Sequence, residues 1–266
     1  MVHNSLNSAI IGYERLERKG GYQMSTEKQL VELLRKATNI VYFGGAGTST
    51  ESDIPDFRSQ DGLYALKYKY PPETMLSRSF FDTHTEEFFD FYRDKVLYPE
   101  AKPNKAHYAL AKLEAMGKLS AVVTQNIDGL HQLAGSKNVI ELHGSVHKNY
   151  CMDCDAQYDL QYVTSSESTI PHCNKCGSVV RPDVVLYEEG LDQNVMIAAV
   201  KAVSESDVLI VGGTSLVVYP AAGMIRYHEN NQIVLINKSE TEYDDKALMR
   251  FDDAIGELLH RIVEQL

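Results

Sequence analysis

Cys151, Cys154, Cys173 and Cys176 are all the cysteines of this 266-residue chain, arranged as two Cys-x-x-Cys pairs separated by eighteen residues. Two-residue spacers let both sulfurs of a pair turn toward one ion. Four thiolates then close a tetrahedral shell, leaving no position for water or substrate. The pattern predicts a structural zinc knuckle, and Gly177 after the last cysteine suits a tight turn. Disulfides or redox dithiols are the competing chemistry. They are disfavoured because the first residues lack the apolar run of a secretory signal and the quartet is the chain's whole thiol content.

A second chemical signal is Gly45-x-Gly47 directly after an apolar run. Such a turn brings backbone N–H groups close to a pyrophosphate. The third glycine of the usual dinucleotide fingerprint is replaced by Thr50, and no acidic residue ends a second strand about twenty residues on, so a hydride-transfer enzyme is disfavoured. His143, at the end of an apolar strand, has a side chain that titrates near neutral pH and suits a general base, although a lone histidine there is more often structural. Gln125-Asn126-Ile127-Asp128-Gly129, taken alone, reads as a capped turn into a helix.

These residues need a frame, and the hydrophobic periodicity supplies one. Thr26 and Gln29 have capping-box spacing ahead of a helix carrying Leu30, Leu33, Leu34 and Ala37, and a strand follows over 39–43. Asn104 caps a second helix (Ala106, Ala109, Leu110, Leu113, Met116), closed by Gly117, before the strand 121–124. Further apolar strands are expected at 139–142, 184–186, 208–211 and 233–236, with helical patterns ahead of the last two, and the C-terminus carries an amphipathic helix from Ile255 to Leu266. Short apolar strands alternating with helices predict an α/β fold, a Rossmann-like doubly wound parallel sheet covered on both faces. Segments 60–102 and 146–180 break the alternation and form a smaller module, which leaves 25–59, 103–145 and 181–266 as the large part. Within the first break Tyr64, Tyr68, Tyr70, Phe80, Phe81, Phe88, Phe89 and Phe91 read as core.

Hydrophobic content of 44% and charged content of 24% are ordinary for a soluble globular protein. No apolar run approaches the roughly 20 residues that cross a bilayer. A net charge of -11 argues against nucleic acid or anionic lipid as a partner and favours basic ones. A cytoplasmic location is expected. Residues 1–24 read as a poorly anchored, disordered extension, with Met24 as the natural start.

The motifs together carry more than any one of them. Gly45-Ala46-Gly47-Thr48-Ser49 is followed by Ile54-Pro55-Asp56-Phe57-Arg58, then by Thr124-Gln125-Asn126-Ile127-Asp128-Gly129-Leu130-His131, then by Glu141-Leu142-His143-Gly144 and the cysteine quartet. Gly213-Thr214-Ser215-Leu216, Val218-Tyr219-Pro220-Ala221 and Asn237 continue the series. From about Ser25 to the C-terminus the chain resembles the sirtuins, NAD-dependent protein deacylases, and most of all their bacterial branch.

The resemblance implies NAD as co-substrate, structural zinc and acyl-lysine proteins or peptides as partners. It makes His143 the general base, taking a proton from a ribose hydroxyl late in the reaction, and Asn126 a second catalytic residue. Asp128 and Ile127 would hold the nicotinamide carboxamide, with Ala46 and Ile54 lining its pocket and Phe57 shielding the reactive carbon. Gln125 and Asn126 would meet the nicotinamide ribose. Arg58 and Ser49 would support the diphosphate or ribose, and Thr214, Ser215, Asn237, Asp253 and Ala254 the adenosine half, with Gly45, Gly47, Thr50 and Gly213 as further cofactor contacts. Val184, Val185, Leu186 and Tyr187 would pair with the peptide as an added strand.

Two departures from the family stand out: Tyr187-Glu188-Glu189 replaces the usual Phe-Gly-Glu, and Asp53 stands where Gly commonly precedes Ile-Pro. The first is expected to stiffen the peptide loop and the second to tune NAD affinity. The Tyr and Arg pair, three residues apart, of the branch that removes succinyl and malonyl groups is not found, since Tyr92 and Arg93 are adjacent. Acetyl and longer neutral acyl groups are therefore expected over acidic ones. The runner-up activity is protein mono-ADP-ribosyl transfer, which shares the first step; a non-catalytic NAD sensor ranks below it because both His143 and Asn126 are present.

Overall fold

The computed structural model describes residues 26–56 and 69–266. The expectations for residues 1–24 and for Phe57, Arg58, Tyr64 and Tyr68 lie outside the described residues.

Helix α1 (Glu27–Lys36) starts at a Thr26–Gln29 capping box, as the spacing requires, and buries Leu30, Leu33 and Leu34. Strand β1 (Ile40–Gly44) follows and is buried along its whole length. Next come three short helices, α2 (Pro72–Met75), α3 (Arg78–Thr83) and α4 (Thr85–Lys95). The alternation resumes with α5 (Lys105–Ala115), capped by Asn104, then β2 (Leu119–Thr124), α6 (Leu130–Ala134) and β3 (Val139–Glu141). The cysteine segment contributes β4 (Gly144–Cys151), β5 (Gln157–Tyr158), α7 (Leu160–Thr164) and β6 (Val180–Val184). Helix α8 (Gln193–Glu205), β7 (Val208–Gly212), a run of 3-10 turns over Ala221–Tyr227, β8 (Ile233–Ile236), β9 (Met249–Phe251) and α9 (Ile255–Val263) complete the chain.

Among the described residues the main sheet has the order β3-β2-β1-β7-β8-β9, and every pairing in it is parallel. Chain order reverses between β1 and β7, so a crevice opens at the carboxyl ends of those strands, where doubly wound sheets take their ligands. One face of the sheet is covered by α1, α5 and α9, the other by α8 and the 3-10 turns. A third core holds Phe80, Phe81, Phe88, Phe89 and Phe91 together with Cys151, Cys173 and Val180, so both breaks in the alternation fold onto one another.

The expectation that 184–186 is a strand of the parallel sheet is corrected. Val184 ends β6, which pairs antiparallel with β4 in a small β5-β4-β6 sheet. Between β4 and β6 the chain passes through β5, α7 and the second cysteine pair without crossing the parallel sheet, and β6 returns beside β4 in the opposite direction. Strand β9, at the sheet edge, was not foreseen: three residues interrupted by Arg250 leave too little apolar pattern to read.

Candidate active site

The loop after β1 folds into two 3-10 turns, Ala46–Thr48 and Thr50–Ser52. Its glycines are required by crowding from the loop after β7: a Cβ on Gly45 would lie 2.9 Å from the Thr214 Cβ, and one on Gly47 2.7 Å from the Gly213 Cα. The N–H groups of Gly45 and Gly47 donate to the carbonyls of Gly212 and Gly213, at 3.3 and 2.8 Å. These two amides therefore bind loop to loop. Asp53 closes the second turn at φ 61°, the left-handed conformation that glycine adopts without strain, which is the physical reason a glycine suits this position.

After β2, Gln125 donates its N–H to the Gly44 carbonyl (3.0 Å) and its side-chain amide to Thr214 Oγ1 (3.0 Å), spanning β1, β2 and β7. Buried Ser49 is the hub of the next link. Its hydroxyl donates to Asp128 Oδ2 at 2.6 Å and accepts from Asn126 Nδ2 at 3.0 Å. Asp128 Oδ1 accepts the Leu130 N–H at 2.9 Å, and exposed His147 donates through Nε2 to the Asp128 carbonyl, also at 2.9 Å. His147 carried no signal in the sequence, because the residue it supports is 19 positions away.

His143 lies between β3 and β4. Its Nδ1 meets the carbonyl of Gln125 at 2.9 Å. A carbonyl only accepts, so Nδ1 carries the proton and Nε2 the lone pair, and no partner takes Nε2 among the described residues. Burial pushes this imidazole below its usual 6.5, while the bond to Gln125 pushes the other way.

All of these groups line one cleft of about 1380 Å³. On its walls lie Gly45, Ala46, Gly47, Ser49, Thr50 and Ile54 from the first loop, Gln125 to Asp128 from the second, and His143. Gly213, Thr214, Ser215, Asn237, Asp253 and Ala254 line the same cleft, as do Val184, Val185, Leu186 and Tyr187. The structure thus brings together every expected cofactor and peptide residue that it describes. Asp253 also pairs with Arg261 at 3.2 Å. The sequence reading missed Arg181, 4% exposed, which grips Glu189 with two bonds of 2.8 and 3.0 Å. Burial alone would raise the Glu189 carboxyl; the Arg181 fork and the Leu186 N–H outweigh it and bring it down to about 2.

The four cysteine sulfurs, from the end of β4 and the loops that follow it, lie within 4.8 Å of one another. Each pair sits in the same turn, with Asp155 N–H donating to the Cys151 carbonyl (3.1 Å) and Gly177 N–H to that of Cys173 (2.9 Å). Asp155 and Gly177 both take positive φ. The Tyr158 hydroxyl donates to Cys173 Sγ at 3.0 Å and holds that thiol down, to about 5. Four converging thiols, one already favouring its anion, fit Zn²⁺ with Zn–S bonds of about 2.3 Å.

The Sir2 family model matches residues 45–220. An NAD-dependent protein deacetylase of Clostridium acetobutylicum is 62% identical over 237 residues, spanning 88% of this chain and 97% of that one. One from Clostridium tetani is 61% identical, over 91% and 99%. A solved Sir2 structure with a deacetylated p53 peptide and 3'-O-acetyl ADP ribose superposes with a TM-score of 0.83 at 40% identity, covering 90% of this chain and 98% of that chain. With its parallel sheet, its cleft at the strand ends and its thiol quartet, the chain belongs to the Sir2 family.

Proposed function

We infer that this protein is an NAD-dependent protein-lysine deacetylase, which releases nicotinamide, O-acyl-ADP-ribose and free lysine. The observation that carries this reading is the shared cleft: an imidazole with Nε2 open to it stands between the loops after β1, β2 and β7 and the extended segment Val184–Tyr187. The family relatives named above agree with it.

The cleft's volume suits a dinucleotide together with an acyl-lysine side chain, being larger than most single-ligand pockets. Bound NAD supplies an electrophilic ribose carbon with nicotinamide as its leaving group. Ser49 holds the Asp128 carboxylate and the Asn126 amide in fixed directions toward the space beside them, where a carboxamide and a ribose would be read. Positioning of this kind accounts for most of the rate in a reaction whose nucleophile is a weak amide oxygen. His143 Nε2 then takes the proton of a ribose hydroxyl, a step its fixed tautomer prepares. The apolar walls near Val184 and Leu186 admit a neutral acylated side chain and penalise a bare ammonium by desolvation. Acetyl and longer neutral acyl groups are therefore the proposed substrates. The zinc ligands hold the small module and stand apart from the reacting atoms.

The setting we propose is the cytoplasm, with neither nucleic acid nor membrane as a direct partner. The net charge is -11, and no helix among the described residues is long and apolar enough to cross a membrane. The test is an acyl-peptide panel with labelled NAD. Acetyl-peptide-dependent nicotinamide release with O-acetyl-ADP-ribose is expected. Faster turnover of a succinyl peptide would overturn the acyl preference, and label fixed to protein would support ADP-ribosyl transfer instead.

A further inference from the structure

Glu188 occupies a conformation that its residue type resists. Its φ is 75°, in the left-handed region, and it stands third in a turn closed by the Glu189 N–H on the Leu186 carbonyl at 3.0 Å. A positive φ at the third position is the mark of a type II turn, where glycine is the usual residue. Asp53 shares the left-handed region, but aspartate tolerates it better than the longer glutamate does. A strained residue at the rim of a cleft persists only where its surroundings hold it.

What holds it is the start of α3. The Glu188 carboxylate accepts the Ser79 N–H through one oxygen and the Ser79 hydroxyl through the other, each at 2.9 Å. The backbone beside it is tied to the same place: the Arg78 N–H donates to the Tyr187 carbonyl at 2.9 Å, and the Tyr187 N–H to that of Leu76 at 3.0 Å. On the far side of the turn, Glu189 is held by Arg181 and by Arg78 at 3.2 Å. Glycine at 188 would adopt the turn without strain, yet would contribute no side-chain tie and would leave the turn more freedom to lose.

We propose that Glu188 is a positioning residue for the acyl-lysine peptide: it latches Val184–Tyr187 to the start of α3, so the edge that receives the peptide is extended before substrate arrives. This rests on the reading of Val184–Tyr187 as that edge. Pre-ordering removes from the binding step the cost of fixing the segment, so the latch acts on peptide affinity and leaves the cofactor side unchanged.

The experiment compares wild type with Glu188→Gly, Glu188→Gln and Ser79→Ala, by steady-state kinetics on an acetyl-lysine peptide and by amide hydrogen exchange. In Glu188→Gly, exchange over 184–189 accelerates and the peptide KM rises about threefold to tenfold, while kcat and the KM for NAD change less than about twofold. Glu188→Gln, which keeps an acceptor for Ser79, restores most of the loss. Ser79→Ala falls between the two and carries the test should the glycine variant fold poorly. Unchanged exchange and unchanged peptide KM in both Glu188→Gly and Ser79→Ala overturn the latch. Adding peptide to wild type separates the two levels. If 184–187 is not protected, the peptide-edge reading fails; if it is protected but Glu188→Gly leaves the peptide KM unmoved, only the role of Glu188 fails.

Discussion

Val185 donates its main-chain N–H to the carbonyl of His143 at 3.0 Å, so the proposed peptide edge and the imidazole share a backbone joint. The ring is fixed from its other side by Gln125. Replacing His143 by Ala should lower deacetylation by about 10²–10⁴-fold, the usual contribution of a general base. Exchange of labelled nicotinamide into NAD precedes the base's step and should persist. Parallel loss of both activities would remove His143 from the late proton transfer.

The same imidazole predicts the acidic limb of the rate profile. Its pKa in the folded chain lies below 6.5 because burial disfavours the charged ring. A base works when neutral, so the midpoint of the acidic limb should fall below pH 6.5. A profile of kcat/KM against pH already half-lost above 6.5 would contradict this.

Ser49 is the joint between Asn126 and Asp128. Ser49→Ala leaves the carboxylate without its 2.6 Å donor and frees the amide. The KM for NAD should rise about tenfold, as expected for loss of a hydrogen bond to a charged group. Peptide affinity, measured by binding without NAD, should change little; an equal loss of both would mean that the substitution had disturbed the whole cleft.

A histidine pair behind that loop governs stability in acid. His107 and His131 are buried with ring centroids 4.7 Å apart. Burial lowers His107 to about 4, against the pull of Asp128, and His131 to about 3, with His107 lowering it further. In the unfolded chain both titrate near 6.5, so from there downward the unfolded state binds more protons and stability falls with pH. Each imidazole contributes roughly 1.4 kcal/mol per pH unit until its folded pKa is reached. Glu189, held near 2, adds a loss of the same sign only below about 4.5. Denaturant unfolding at pH 7 and 5.5 should differ by about 2–3 kcal/mol from the pair, and His131→Phe should flatten the slope.

Metal removal is expected to act on the small module. Structural zinc in such knuckles contributes on the order of 10 kcal/mol. Cys151 and Cys173 are part of the core that also holds the aromatic residues of α3 and α4. Chelation should therefore lower the melting temperature and release that module before the parallel sheet, with activity falling as a consequence. An unchanged melting curve after the metal is shown to be gone would refute a structural role.

Much of this protein could be read along the chain because the signals are local. The Thr26–Gln29 box and the Asn104 cap act over three or four residues, and both helices begin where they direct. Cysteines paired across two-residue spacers turn toward one point whatever surrounds them, and the four sulfurs converge. The order of strand, glycine loop and helix settled the doubly wound sheet, since right-handed crossovers leave few other ways to cover both faces.

Other features depended on which distant segments meet. An apolar run such as Val184–Leu186 states that it is buried, but not which sheet it joins; the return of the chain through the knuckles decided that. Gly45 and Gly47 announced a close approach without naming Gly212 and Gly213 as what approaches. The Arg181–Glu189 grip, the His147 support of Asp128 and the Glu188–Ser79 tie share this character, the last spanning 109 positions. Periodicity and capping constrain neighbours within a turn or two, whereas these pairings exist only once the packed core has brought their partners into range, and that is the part that tertiary structure alone determined.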